Sequence, residues 1–339
     1  MRELPQHRTG TMNPPLVSVI IPAFNAAPAI RAAIESALAQ TLSNLEVIVI
    51  DDGSSDETPA RLGTIGDPRM RVLRTDHRGV AHARNCGLDL ARGEYITFLD
   101  ADDMWTADKL EEQVQALTSD PQACAVYSWT AFVDEEGRYL FAKAPHYHSG
   151  DVYAELLVTF FLASGSNVLA RRECIESIGR FEESAEPVED WEYWLRAAKA
   201  GRFALAPHYH VLYRFTPGSA SSGVERYQRA VERIAVKAFA EAPPMLRKRL
   251  GECLSNAKQH GCLLYLARTD TPDAHRRAGW LLCAAIARHP ASLGSGRTVA
   301  LVGTWLALCF VPRGKINSAA QSLLRWYGGW MRRKNARRD

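Results

Sequence analysis

Three short runs restrict what this chain can fold into: LVSVII (16–21), LEVIVI (45–50) and YITFL (95–99). Nearly every position in them is apolar or β-branched, with no polar alternation. That pattern suits strands covered on both faces, and so a parallel sheet enclosed between helices. The intervals have the pattern of such helices. APAIRAAIESALAQ (27–40) is Ala-rich with Pro28 in its first turn, and VAHARNCGLDLARG (80–93) closes on a glycine. Pro22 is expected to end the first strand, and RVLR (71–74) adds a short one. Thr106 is expected to cap a helix whose Leu110, Val114 and Leu117 share one face. The expected fold is α/β, a doubly wound, mostly parallel sheet flanked by helices.

The following stretch is less regular. ACAVYSW (123–129) reads as a strand, GSNVLARRECIESIG (165–179) as a strand and a helix, and EDWEYWLRAAKAG (189–201) as an amphipathic helix stopped by Gly201. Trp191 and Trp194 share one face of it, a spacing commoner in cores than in sugar subsites. The expected organisation is a disordered tail 1–15, a first half-domain 16–118, a second 119–225, and a helical region 226–339 with a basic, aromatic tail.

Ligands of open α/β sheets bind beyond the carboxyl ends of the strands. Here that edge carries PAFN, DDGSSD and DADD, so three loops, two of them acidic, should face one crevice. Crowded carboxylates repel one another unless a positive charge sits among them, and no lysine or arginine adjoins these in sequence. A hard divalent cation, Mg²⁺ or Mn²⁺, sharing its shell with substrate phosphates would supply it. For DDGSSD alone, helix capping by Ser55 and Asp56 is an equal alternative. No phosphate-binding lysine loop and no GxGxxG follow the first strand.

Taken in order, VSVIIPAFNA, VIVIDDGSSDET, GVAHARNCGLDLARGEYITFLDADD and EDWEYWLRAA resemble the family 2 glycosyltransferases, whose fold is called GT-A. The resemblance runs from about Leu16 to about Ser221 and implies an inverting nucleotide-sugar transferase. Carried over, Pro22, Ala23 and Phe24 would line the base pocket, and Asp52 would accept a hydrogen bond from the uracil imide. Asp100-Ala101-Asp102 matches the DxD motif, with Asp102 as metal ligand and Asp100 assisting through ribose or water. Asp103 would cap the next turn. Arg84, with Asn85 on the same helix, would reach the donor diphosphate or form a surface salt bridge. Asp190 of the ED pair would be the general base, in a first turn whose dipole favours its carboxylate form. Glu189 would orient the acceptor or a supporting residue. One position departs: in YRFTPGSAS (213–221), Thr216 stands where many relatives place a histidine beside metal and diphosphate. That leaves the third protein ligand open, with His208 and His210 as candidates. A zinc site from the two PHYH segments, 145–148 and 207–210, is a minor alternative.

The partners this implies are a nucleotide-sugar donor and a cell-envelope glycan or lipid-linked acceptor. A net charge of +3 gives no case for nucleic acid. Seven scattered cysteines without a CxxC suggest reduced, individually buried thiols and a cytoplasmic setting. TVALVGTWLALCFV (298–311) is short for a membrane span and suits a buried or interfacial helix. The tail RWYGGWMRRKNARRD could meet an anionic membrane at its inner face or stay solvated. Two other readings stay open: a non-catalytic sugar-nucleotide scaffold or sensor of the same fold, and a nucleotidyltransferase.

Overall fold

The computed structural model describes residues 14–214, 223–267 and 273–309. The N-terminal tail as far as residue 13, Thr216 and the aromatic basic tail from residue 310 lie outside the described residues. The chain forms two compact units. The first comprises the described residues up to Tyr139, Pro145–Tyr153 and Phe161–Arg214; the second comprises Leu140–Ala144, Ala154–Phe160 and the described residues beyond 222.

In the first unit β1 (Val17–Ala23), β2 (Leu45–Asp51), β3 (Met70–Arg74) and β4 (Tyr95–Phe98) alternate with α1 (Ile30–Leu38), α2 (Thr58–Leu62) and α3 (Val80–Leu90). Then follow β5 (Met104–Trp105), α4 (Lys109–Ser119) and β6 (Ala123–Val133). β7 (Tyr139–Ala142) and α5 (Tyr153–Val158) lie where the chain passes between units, and β8 (Leu169–Arg171), α6 (Arg172–Ile178), α7 (Glu189–Ala200) and β9 (Arg202–Arg214) complete the first. The strand order is β3-β2-β1-β4-β8-β6-β9-β5. β1, β2, β3 and β4 pair in parallel, β8 is antiparallel to β4 and β6, and β9 is parallel to β6. β1 and β2 are buried at every position, as runs of this kind must be when helices cover both faces. This is the mostly parallel doubly wound sheet expected from the sequence.

Two local expectations are corrected. Pro22 does not end β1: the strand continues to Ala23, with Pro22 in register with Ile50. The Ile20 carbonyl accepts from Leu99 N, and β4 goes no further, so the N–H that Pro22 lacks would point where the ladder has already stopped. Thr106 does not cap α4, which begins three residues later; its hydroxyl donates to Asp108 Oδ1 instead. Trp191 and Trp194 are both buried, as their spacing suggested.

The second unit is helical in its later part, with α8 (Val224–Glu241), α9 (Pro244–Arg247), α10 (Leu250–Ala267), α11 (Ala274–Arg288) and α12 (Gly296–Cys309). Cys262, Leu266, Ala278, Leu282 and Leu301 share its core. α12 buries one side only: Val299 and Leu306 are exposed, while Trp305 stacks on His275. No helix among the described residues is long and apolar enough to cross a membrane. Cys86, Cys124, Cys174, Cys253, Cys262 and Cys283 are free, but they are not all buried: Cys283 is exposed, and Cys86 and Cys124 are half-buried.

Gly87 lets α3 lie directly on β1. A Cβ there would stand 2.3 Å from Ile20 Cγ2, on a fully buried strand residue whose branched side chain has little room to turn. Helix propensity alone would favour alanine by about 1 kcal/mol, but overpacking such a contact costs about 1–3 kcal/mol. Gly87→Ala is therefore expected to lower the urea midpoint; an unchanged or raised midpoint contradicts this packing.

Candidate active site

The loops after β1 and β2 are joined by short polar side chains. Asn25 Oδ1 accepts from Ser55 N at 2.8 Å, Asn25 N donates to Ser54 Oγ, and Ala26 N donates to Thr58 Oγ1 at 2.8 Å. Asp56 accepts from Ala27 N and Thr58 N, so it serves turn geometry at the entry to α2. Pro22 and Ala23 are buried at the strand end, while Phe24 projects outward, 44% exposed, and stacks on His77 with ring centroids 3.9 Å apart. Asp52 is buried, and its oxygens accept from Thr75 Oγ1, Arg78 N and Gly79 N, with His77 Nδ1 2.9 Å from Oδ2. The second aspartate of the DD pair thus fixes the 75–79 loop and, through His77, the Phe24 ring.

The positive charge among the carboxylates is Arg84, delivered from α3. It is buried, with Nη2 2.6 Å from Asp100 Oδ1 and Nη1 2.7 Å from Glu189 Oε1. Burial works against its charge, yet Asp100, Glu189 and Asp190 hold its pKa above the usual guanidinium value. Arg84 is therefore no surface salt bridge, because both terminal nitrogens are engaged inside the fold. Gly165 makes room for it: a Cβ there would meet Arg84 Nη2 at 2.7 Å.

Within FLDADD the aspartates have different surroundings. Asp103 is buried, does not cap the next turn, and accepts from Ser166 Oγ at 2.6 Å and Arg214 N at 3.2 Å. Burial first, then Asp102 and Asp100, push its pKa well up. Ser166 Oγ also accepts from Asp100 N, and Arg214 Nε donates to the Asp102 carbonyl, so the loop is held from both sides. Ala101 is buried between its neighbours. Asp102 is half-buried and has no salt bridge among the described residues; burial and then Asp100 raise it to about 6 against the pull of Arg214. An oxygen-only donor set with uncompensated negative charge fits a hard divalent cation.

α7 brings the second acidic pair. Glu189 is tied to Arg84 by one oxygen, and its Oε2 is buried without a hydrogen-bond partner. Asp190 is half-buried, accepts from Trp191 N, and is raised to about 7 by burial and then by Glu189, with Arg84 opposing. The helix dipole, expected to favour its carboxylate form, is outweighed. Asn85 holds the segment before α7, exchanging two hydrogen bonds with the Phe181 backbone. Arg84 thus joins Asp100 to Glu189, whose neighbour is Asp190. Sequence reasoning missed Gly165, Ser166 and His77; the only local signal was the Gly-Ser-Asn triplet before β8.

The second PHYH segment does not combine with the first. His208 and His210 face Glu112 of α4, whereas Tyr127 Oη donates to the carbonyls of His146 and His148.

A curled, mostly parallel sheet with acidic loops at its carboxyl edge is a fold of GT-A type. Residues 18–179 match the model of the family described as Glycosyl transferase family 2. An uncharacterized glycosyltransferase of Rickettsia prowazekii (strain Madrid E) is 33% identical over 186 residues, 54% of this chain and 58% of that protein. The UDP-Glc:alpha-D-GlcNAc-diphosphoundecaprenol beta-1,3-glucosyltransferase WfaP of Escherichia coli is 42% identical over 106 residues, 31% of this chain and 42% of that protein. The chain therefore spans about half the length of these relatives. The crystal structure of S. aureus TarS 1-349 in complex with UDP-GlcNAc superposes with a TM-score of 0.60 over 92% of this chain and 91% of that one. At 19% identity the likeness concerns the fold.

Removing Arg84 would leave two carboxylates facing each other in a poorly solvated site, a loss worth about 3–5 kcal/mol when one partner of a buried pair is deleted. Arg84→Met is expected to show that loss in urea unfolding, and Arg84→Lys less of it. A change under about 1 kcal/mol for Arg84→Met, the range of an exposed pair, would contradict the assignment.

Proposed function

We propose that this chain is a metal-dependent, inverting glycosyltransferase. It moves a sugar from a nucleotide donor, a UDP-sugar, to a hydroxyl of a cell-envelope glycan or lipid-linked acceptor. The observation that carries this reading is the Arg84 bridge, which draws the DxD loop and the ED helix into one cluster. WfaP, by its name, uses UDP-glucose and a diphosphoundecaprenol acceptor, which favours a uridine donor and a lipid-linked acceptor; the TarS structure contains UDP-GlcNAc, in keeping with a uridine donor.

In this reading Pro22, Ala23 and Phe24 line the base pocket, with Asp52 at its floor. Asp102 is the metal ligand, Asp100 assists it, and Ala101 lets the loop pack. A bound Mg²⁺ or Mn²⁺ would neutralise charge developing on the departing nucleoside diphosphate. Arg84 fixes Asp100 and Glu189 and adds positive charge on the diphosphate side. Asp190 takes the proton of the acceptor hydroxyl as its oxygen attacks the anomeric carbon and the bond to the diphosphate breaks. A single displacement with one base and no enzyme nucleophile inverts the configuration. The enzyme would work in the cytoplasm, meeting a lipid-linked acceptor at the inner membrane face.

A base with a pKa near 7 acts only once deprotonated, so kcat/KM should rise about tenfold per pH unit below that value and level off above it. Transfer from UDP-glucose or UDP-GlcNAc to a diphospholipid-linked sugar, followed from pH 5 to 9, tests this. A rate that is flat from pH 5 upward, as for an unshifted carboxylate, would contradict the assignment of Asp190. Asp190→Asn is expected to lower the rate by about 10²–10⁴, the usual contribution of a positioned base.

A further inference from the structure

Away from the acidic loops, β9 and α4 bring together three metal-ligating side chains: Glu112, His208 and His210. Each offers one ligand atom, and these atoms lie within 4.8 Å of one another. Both imidazoles converge on one carboxylate oxygen. His208 Nδ1 is 2.5 Å and His210 Nε2 is 3.2 Å from Glu112 Oε2. Zn²⁺ bonds of about 2.0–2.2 Å in tetrahedral geometry separate neighbouring ligand atoms by about 3.3 Å. Small side-chain movements would therefore admit an ion.

His210 supplies the second observation. It is 1% exposed, and neither of its ring nitrogens has a hydrogen-bond partner. A buried imidazole left in that state costs free energy, and a metal bond would satisfy one nitrogen. The neighbouring Lys109 is buried, donates to Gln113 Oε1 and sits 4.0 Å above the Trp105 ring. Asp108 Oδ1 lies 3.9 Å from His210 Nε2 and is half-exposed, so Asp108 or water can complete the shell.

We infer that Glu112, His208 and His210 form a second metal site, separate from the DxD loop, that takes a borderline divalent ion of the Zn²⁺ class. Two imidazoles and one carboxylate select Zn²⁺ over Mg²⁺, whereas the all-carboxylate DxD loop has the opposite preference. The site is structural. It fastens β9 to α4 four residues before Arg214, whose backbone N–H holds Asp103. This inference is independent of the transferase reading.

The test uses the full chain stripped with EDTA and dialysed. Calorimetric titration with ZnCl₂ is run on wild type, Glu112→Gln, His208→Gln and Asp102→Asn, with Co²⁺ absorption as a second readout. Wild type is expected to bind Zn²⁺ and to give visible Co²⁺ bands of a tetrahedral nitrogen–oxygen site. Glu112→Gln and His208→Gln should each weaken Zn²⁺ binding by more than about 100-fold, beyond the loss of an outer-shell partner. Asp102→Asn should leave it intact. His208 is exposed, so its variant is expected to fold, and its melting temperature without metal checks this. No Zn²⁺ uptake by wild type would overturn the inference. So would unchanged affinity in Glu112→Gln and His208→Gln, or loss confined to Asp102→Asn.

Discussion

A guanidinium buried between two carboxylates organises this molecule. Arg84 leaves α3 and meets Asp100 at the end of β4 on one side and Glu189 at the start of α7 on the other. An arginine so far from water costs several kcal/mol in lost hydration, which only well-placed opposite charges offset. The fold provides them from segments far apart in sequence, and Gly165 leaves the necessary space. Once Arg84 is fixed, the acidic loop and the ED helix have a set relation to each other.

Around that pair the acidic residues divide their work. Asp52, Asp56 and Asp103 are consumed by the protein's own hydrogen bonds, shaping the 75–79 loop, the entry to α2 and the seat of the acidic loop. Asp102 and Asp190 keep charge that no partner fully compensates, and both sit well above the usual carboxylate range. Groups left in that condition are the ones that can take a cation or a proton. The same logic sets His210 apart, since it is buried with neither nitrogen engaged.

Much of the sheet was legible because buried parallel strands need consecutive apolar residues, and the acidic turns followed from strand ends. Details that depend on which neighbour is present were not. Nothing in LVSVIIP shows that β4 stops short of Pro22, so the strand's true end was hidden. Thr106 had the chemistry of a cap but not the position. At the site, the aspartates and the ED pair were visible as motifs, while the partner of Arg84 was not, since no spacing rule links residues 84, 100 and 189. Ser166 and His77 escaped for the same reason: each matters through one tertiary contact. The Glu112–His208–His210 group needed α4 laid beside β9 before its members could meet.

In the proposed transferase the carboxylates arranged by Arg84 would bind a nucleoside diphosphate through a divalent cation at Asp102, with Asp190 serving the acceptor. Calorimetric titration of UDP into the full chain, with and without Mn²⁺, tests it on wild type, Asp102→Asn and Asp190→Asn. UDP binding is expected to require Mn²⁺, to be lost in Asp102→Asn and to survive in Asp190→Asn. UDP binding that is indifferent to Mn²⁺ and to Asp102, or absent from wild type under all conditions, would contradict it.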